Sequence, residues 1–234
     1  MLAITERQHL IFDADDTLWE NNIYFERAFD KFCNFLSHSR LTPVEIRAHL
    51  DEIEIANNQI HGYGALNFGR NLRQCYQKLA ERACEEGHLE EVLAFARAIL
   101  HSPMQLIEGV KDTIPALAAQ YELTLFTKGD PEEQGAKIER SGLRSFFAHC
   151  AIVKEKNREE YLRLADSREF DLDRTWMIGN SPKSDINPAL AAGLRAVYVP
   201  HVRTWGLEKE ELLDVEERLL VVEQFSDLKK LFLT

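Results

Sequence analysis

The 234-residue chain is 45% hydrophobic and 29% charged, ordinary for a water-soluble globular protein and enough to bury a substantial core. Its formal charge of −11 excludes the basic face that duplex nucleic acid requires, and no apolar run approaches the ~20 residues that span a bilayer. The length fits a main domain carrying a smaller insertion.

The start, Met1-Leu2-Ala3-Ile4-Thr5-Glu6-Arg7, lacks a basic segment followed by an apolar one, so no secretory leader is expected and the chain is read as cytoplasmic. The first informative segment follows: Leu10-Ile11-Phe12 reads as a buried strand that runs into Asp13-Ala14-Asp15-Asp16-Thr17-Leu18. Asp is disfavoured in strands, and neighbouring carboxylates repel unless a cation or a reaction uses them. The cluster therefore asks for a divalent metal, a nucleophile, or both, at the sheet edge where open α/β folds bind ligands.

About 80 residues of helical periodicity come next. Phe25, Phe29, Phe32 and Leu36 mark one apolar stripe, Ile46, Leu50, Ile53 and Ile60 a second, Ala65, Leu72, Tyr76 and Leu79 a third, and Leu89, Val92, Ala96 and Ile99 a fourth. Thr42-Pro43-Val44-Glu45 starts the second with a cap hydroxyl, Pro at the first position and Glu three after the cap. Residues 19–105 thus read as a four-helix bundle inserted after the first strand. From Gly109, apolar runs at Leu123–Phe126, Ala151–Val153, Thr175–Ile178, Ala196–Val199 and Leu219–Val222 alternate with helical segments. Asp130 caps one helix, Gly142 ends it, and Gly193 ends another. Such repetition predicts an α/β domain, a parallel sheet with helices on both faces, formed by residues 1–18 and 106–234.

Later strand ends carry polar groups that suit the first. Thr127-Lys128-Gly129-Asp130 places a hydroxyl and backbone N–H groups before a helix, Lys154-Glu155-Lys156 offers an ammonium, and Gly179-Asn180-Ser181-Pro182-Lys183-Ser184-Asp185 forms a polar loop whose carboxylate could close a metal site. Cys33, Cys75, Cys84 and Cys150 lack metal or redox spacing and read as free thiols, and no histidine pair has ligand spacing.

In this order the four segments resemble the motifs of the haloacid dehalogenase-like hydrolase superfamily: Asp13 to Thr17 the first, Thr127 the second, Lys156 with Asn157 to Tyr161 the third, and Gly179 through Asp185 the fourth. The resemblance implies a Rossmann-like core with a helical cap. It implies Asp13 as nucleophile, Asp15 as general acid and base, Thr127 and Lys156 on the phosphoryl oxygens, and Mg²⁺ held by Asp13, the Asp15 carbonyl and Asp185, with Asn180 beside it. Relatives that cleave carbon–halogen bonds carry an aromatic residue at the Asp15 position, so the resemblance points to a phosphatase acting on a small phosphorylated metabolite. Two positions depart from the usual pattern: Asp16 stands where Gly is common, and Asn180 where an acid is common. Trp19, Tyr63, Arg70 and Lys128 are candidate substrate contacts. Phosphomutase activity and a non-catalytic binding role are the alternatives, the expected assembly is a monomer or homodimer, and no nucleic-acid or membrane partner is expected.

Overall fold

The computed structural model describes residues 8–213, 215 and 217–233. The segment 1–7, where the sequence shows no leader pattern, lies outside the described residues. In chain order the elements are β1 (His9–Phe12), α1 (Asn22–Leu36), α2 (Pro43–His61), α3 (Ala65–Leu79), α4 (Glu86–Arg97), α5 (Val110–Ala118), β2 (Glu122–Lys128), α6 (Pro131–Arg140), β3 (His149–Val153), α7 (Arg158–Ser167), β4 (Thr175–Gly179), α8 (Asn187–Ala192), β5 (Arg195–Tyr198), β6 (Leu219–Val221) and α9 (Leu228–Phe232). They form two compact units, one from the segments up to Glu20 and from Met104 onward, the other from Asn21–Pro103.

The first unit is an all-parallel sheet in the order β3-β2-β1-β4-β5-β6. Leu10, Ile11 and Phe12 are fully buried because β1 is central and covered on both faces. Leu10 and Phe12 pack with Ile114 and Leu117 of α5, Ile138 of α6 and Phe232 of α9. Ile11, pointing the other way, packs with Leu164 of α7 and Ala189 and Ala192 of α8. The near-continuous apolar strands are thus the direct record of a two-faced burial. Because the chain builds outward from β1 to β2 and β3, then returns to the other side for β4 to β6, its direction reverses at β1. The crevice opened there at the carboxyl ends is where the acidic first motif emerges.

Local signals set the boundaries as the sequence indicates. Asp130 Oδ1 accepts from the backbone N–H groups of Glu132 and Glu133 at the start of α6, and Gly142 and Gly193 take positive φ after α6 and α8. Asp185 lies in a wide π turn, Pro182–Ile186, that precedes α8. Cys33, Cys75, Cys84 and Cys150 are free thiols. Among the described residues no helix is long and apolar enough to cross a membrane.

The second unit packs α1 to α4 around Phe32, Leu50, Leu72, Tyr76 and Val92. Its α2 begins with the reciprocal cap between Thr42 and Glu45. Within it Glu54 is buried and ion-paired with Arg47, which also pairs with Asp51 and lies over the Phe29 ring.

Burial pushes the Glu54 carboxyl up to about 7, against the opposing pull of Arg47. A carboxyl raised above its unfolded value binds more protons folded than unfolded, so this part of the stability is greatest in acid and is lost as pH rises through about 7. Glu54→Gln should flatten that slope, removing up to roughly 3 kcal/mol of difference between pH 5 and pH 8. Urea unfolding at the two pH values checks this, and an unchanged slope would contradict it.

Candidate active site

The parallel ladder continues one residue past β1, with Asp13 N–H donating to the Ile178 carbonyl at 2.9 Å, so Asp13 is fixed beside the end of β4. Its carboxylate is buried. Oδ1 accepts from Lys156 Nζ at 2.5 Å, and Oδ2 faces the Thr17 hydroxyl at 3.0 Å. Lys156 Nζ also donates to Asp185 Oδ1 at 2.7 Å, placing one ammonium between two buried carboxylates. The Asp185 carboxylate is held on its other side, Oδ2 accepting from Ser181 N–H at 2.9 Å. A Cβ at Gly179 would collide with this carboxylate, so glycine at the end of β4 is what admits it.

Charge here is unbalanced. Burial and the facing Asp185 push Asp13 up to about 7, and Lys156 only partly opposes them. Burial on its own would lower the Lys156 ammonium, but Asp13 and Asp185 outweigh it and keep the group above its ordinary value, hence charged. Asn180 lies beside the same pair: its Oδ1 is 3.1 Å from the Thr17 hydroxyl, its N–H donates to Thr17 Oγ1, and its side-chain amide donates to Thr204. Buried oxygen donors with surplus negative charge, in a cradle that glycine keeps open, fit a hard divalent cation.

Asp15 is arranged differently. Its two oxygens accept from the Trp19 indole N–H at 2.7 Å, Gln134 Nε2 at 2.8 Å and Lys137 Nζ at 2.9 Å. Trp19 is 1% exposed and reads as a residue that aims Asp15. Gln134 and Lys137 lie three apart on α6, hence on one face, and sequence reading passed them over; that spacing just after the second motif was the available signal. Asp16 adopts φ +62°, the conformation glycine supplies elsewhere, and closes the turn through its N–H to the Trp19 carbonyl.

Thr127 is buried near the end of β2. Lys128 is engaged within the core, its ammonium reaching Glu208 at 2.6 Å, Ser184 at 2.8 Å and Glu155 at 3.2 Å. Tyr63 lies half-buried in the α2–α3 connection, and Arg70 is exposed on α3, both within the helical unit. A further grouping, absent from sequence spacing because its members are remote, sets His201 3.9 Å from Asp16 and 3.5 Å from Glu20.

A sequence profile for haloacid dehalogenase-like hydrolases matches residues 8–193. The chain belongs to this family. A haloacid dehalogenase-like family hydrolase from Xanthomonas campestris, 34% identical, superposes with a TM-score of 0.83, covering 94% of this chain and 88% of its own. A HAD-type hydrolase designated YfnB from Bacillus subtilis is 32% identical over 81% of this chain and 83% of its own length. Its magnesium-bound crystal structure has a TM-score of 0.69 and covers 98% of this chain and 100% of that one, at 18% identity. The pyrimidine 5'-nucleotidase YjjG of Escherichia coli is 25% identical over 81% of this chain and 84% of its own. Solved dehalogenases at 13–19% identity share the fold alone.

Removing the shared ammonium should leave two facing buried carboxylates. Lys156→Met is expected to destabilise the protein by about 3 kcal/mol in divalent-free buffer, and Lys156→Met/Asp185→Asn to recover most of the loss. Urea midpoints of the two variants and wild type check this; equal loss in both variants would contradict it.

Proposed function

We propose that the chain is a Mg²⁺-dependent phosphatase that hydrolyses a small phosphomonoester through an aspartyl-phosphate on Asp13. The observation that carries the reading is that Asp15, two residues beyond the nucleophile, is a carboxylate oriented by Trp19, Gln134 and Lys137. A reaction that expels halide needs no proton donor there, whereas expelling an alkoxide does. The relative named as a pyrimidine 5'-nucleotidase supports the same choice.

In this mechanism an Asp13 oxygen attacks phosphorus, the ester P–O bond breaks, and Asp15 gives its proton to the departing alkoxide. A water then attacks the aspartyl-phosphate, Asp15 takes its proton, and inorganic phosphate leaves as the Asp13 carboxylate is restored. Lys156 and Thr127 hold the phosphoryl oxygens, Lys156 being charged as this requires. Asp13, Asp185 and the Asp15 carbonyl would hold Mg²⁺, with Asn180 beside them; the bound ion supplies positive charge that lets an anionic carboxylate meet an anionic phosphate.

The helical unit serves in this reading as the cap that selects the ester, with Tyr63 and Arg70 as its contacts. The substrate is a small phosphorylated metabolite, with nucleoside monophosphates first among those to assay, and the enzyme works in the cytoplasm as a monomer or homodimer.

Phosphate release from a panel of phosphomonoesters should require Mg²⁺, vanish with EDTA and fall below detection in Asp13→Asn. Asp15→Asn should lose about 10²–10⁴-fold in kcat, the usual contribution of general acid–base catalysis. Metal-independent release, or an active Asp13→Asn, would overturn the mechanism.

A further inference from the structure

We propose that Glu208 is a positioning residue for the metal-side loop: with Lys128 as its counter-charge, it fixes the turn that presents Asp185. The inference rests on the metal role given to Asp185 above.

Glu208 lies on a short turn, Gly206–Glu208, in the connection between β5 and β6, and its side chain is 10% exposed. It belongs to none of the four motif segments. Oε2 accepts from Ser181 Oγ at 2.6 Å and from Ser184 Oγ at 2.5 Å, while Oε1 accepts from Lys128 Nζ at 2.6 Å. Those two serines bracket the turn that matters. Ser184 N–H donates to Ser181 Oγ, Asp185 N–H donates to the Ser181 carbonyl, and Ser181 N–H donates back to Asp185 Oδ2, each at 2.9 Å.

Each serine hydroxyl has one hydrogen, and Glu208 takes both. Ser181 Oγ is thereby left with lone pairs for Ser184 N–H, so the turn closes in one arrangement only. Lys128 extends the same network to the end of β2, on the far side of β1 from the β4 loop. One carboxylate therefore ties the strand end that carries Thr127 to the loop that carries Asp185, fixing the width of the site across the nucleophile strand. Burial would raise the Glu208 carboxyl, but Lys128 and the two hydroxyls outweigh it and hold the group ionised, the form that accepts all three bonds.

A carboxylate serving only the fold would leave metal binding untouched once the protein is folded. Glu208→Gln offers one acceptor oxygen where the network needs two, and turns an N–H₂ group toward a donor. Calorimetric titration with Mg²⁺ should show binding weakened about 10- to 100-fold, the usual cost of disturbing the groups that orient metal ligands. Phosphate release should show the half-saturating Mg²⁺ concentration raised alike, with substrate KM at saturating Mg²⁺ within about twofold of wild type and kcat recovering as Mg²⁺ is raised. If Glu208→Gln does not fold, Lys128→Met/Glu208→Gln, which removes both buried charges together, is titrated instead and should show the same weakening. Wild-type Mg²⁺ affinity in a folded variant would overturn this inference while leaving the phosphatase reading intact. A wild-type protein that binds no Mg²⁺ would overturn both.

Discussion

The ammonium of Lys156 lying between the buried carboxylates of Asp13 and Asp185 is the interaction on which the site depends. It brings together three strand ends that have no sequence proximity: Asp13 leaves β1, Lys156 follows β3, and Asp185 follows β4. Without the ammonium, two carboxylates in a low-dielectric crevice would repel or neutralise by taking up protons. With it the cluster holds together yet stays short of neutrality, and Asp13 remains pushed up to about 7. The cluster sits at the end of β1, which is central and buried on both faces by α5, α6, α7, α8 and α9.

Asp13 and Asp15 illustrate how neighbouring carboxylates come to lie in different surroundings. They are two residues apart, yet one faces a carboxylate across a shared lysine and the other faces an indole, an amide and a lysine of α6. Divergent surroundings for paired carboxyls are the usual basis for dividing nucleophile from acid–base work. The turn between them and Trp19 is made by Asp16 at positive φ, a conformation glycine adopts without a side-chain penalty.

The fold was legible because its causes are local or periodic. Two-faced burial leaves apolar runs, helix faces leave 3.6-residue stripes, and Asp130, Thr42, Gly142 and Gly193 carry their boundary roles in their own chemistry. The strand-end residues were legible because carboxylates at Asp13 and Asp15 have no structural reason to be there. Gln134, Lys137, Glu208 and His201 were not, since a lysine on an amphipathic helix or a glutamate in a loop reads as a solvated group until the fold encloses it. Lys128 shows the same limit from the other side. Its position after the second motif marked it for a ligand, whereas its ammonium lies against Glu208 and Ser184. The π turn that carries Asp185 leaves no periodic signature in five residues, so its width follows only from the fold.

Three lysines around the site, Lys128 and Lys156 at strand ends and Lys137 on α6, share one electrostatic pattern. Lys156 meets Asp13 and Asp185, Lys137 meets Asp15 and Glu133, and Lys128 meets Glu208 and Glu155. Each ammonium is thus matched by two carboxylates, in a chain whose formal charge is already −11. Lysines so committed orient the acidic side chains around them, and carboxylates outnumber ammonium groups in the crevice. Acidic groups gathered at this density leave negative charge that a cation of higher charge can offset. The excess of carboxylates over ammonium groups around Asp13 and Asp185 is what a bound divalent cation would offset in the proposed reaction.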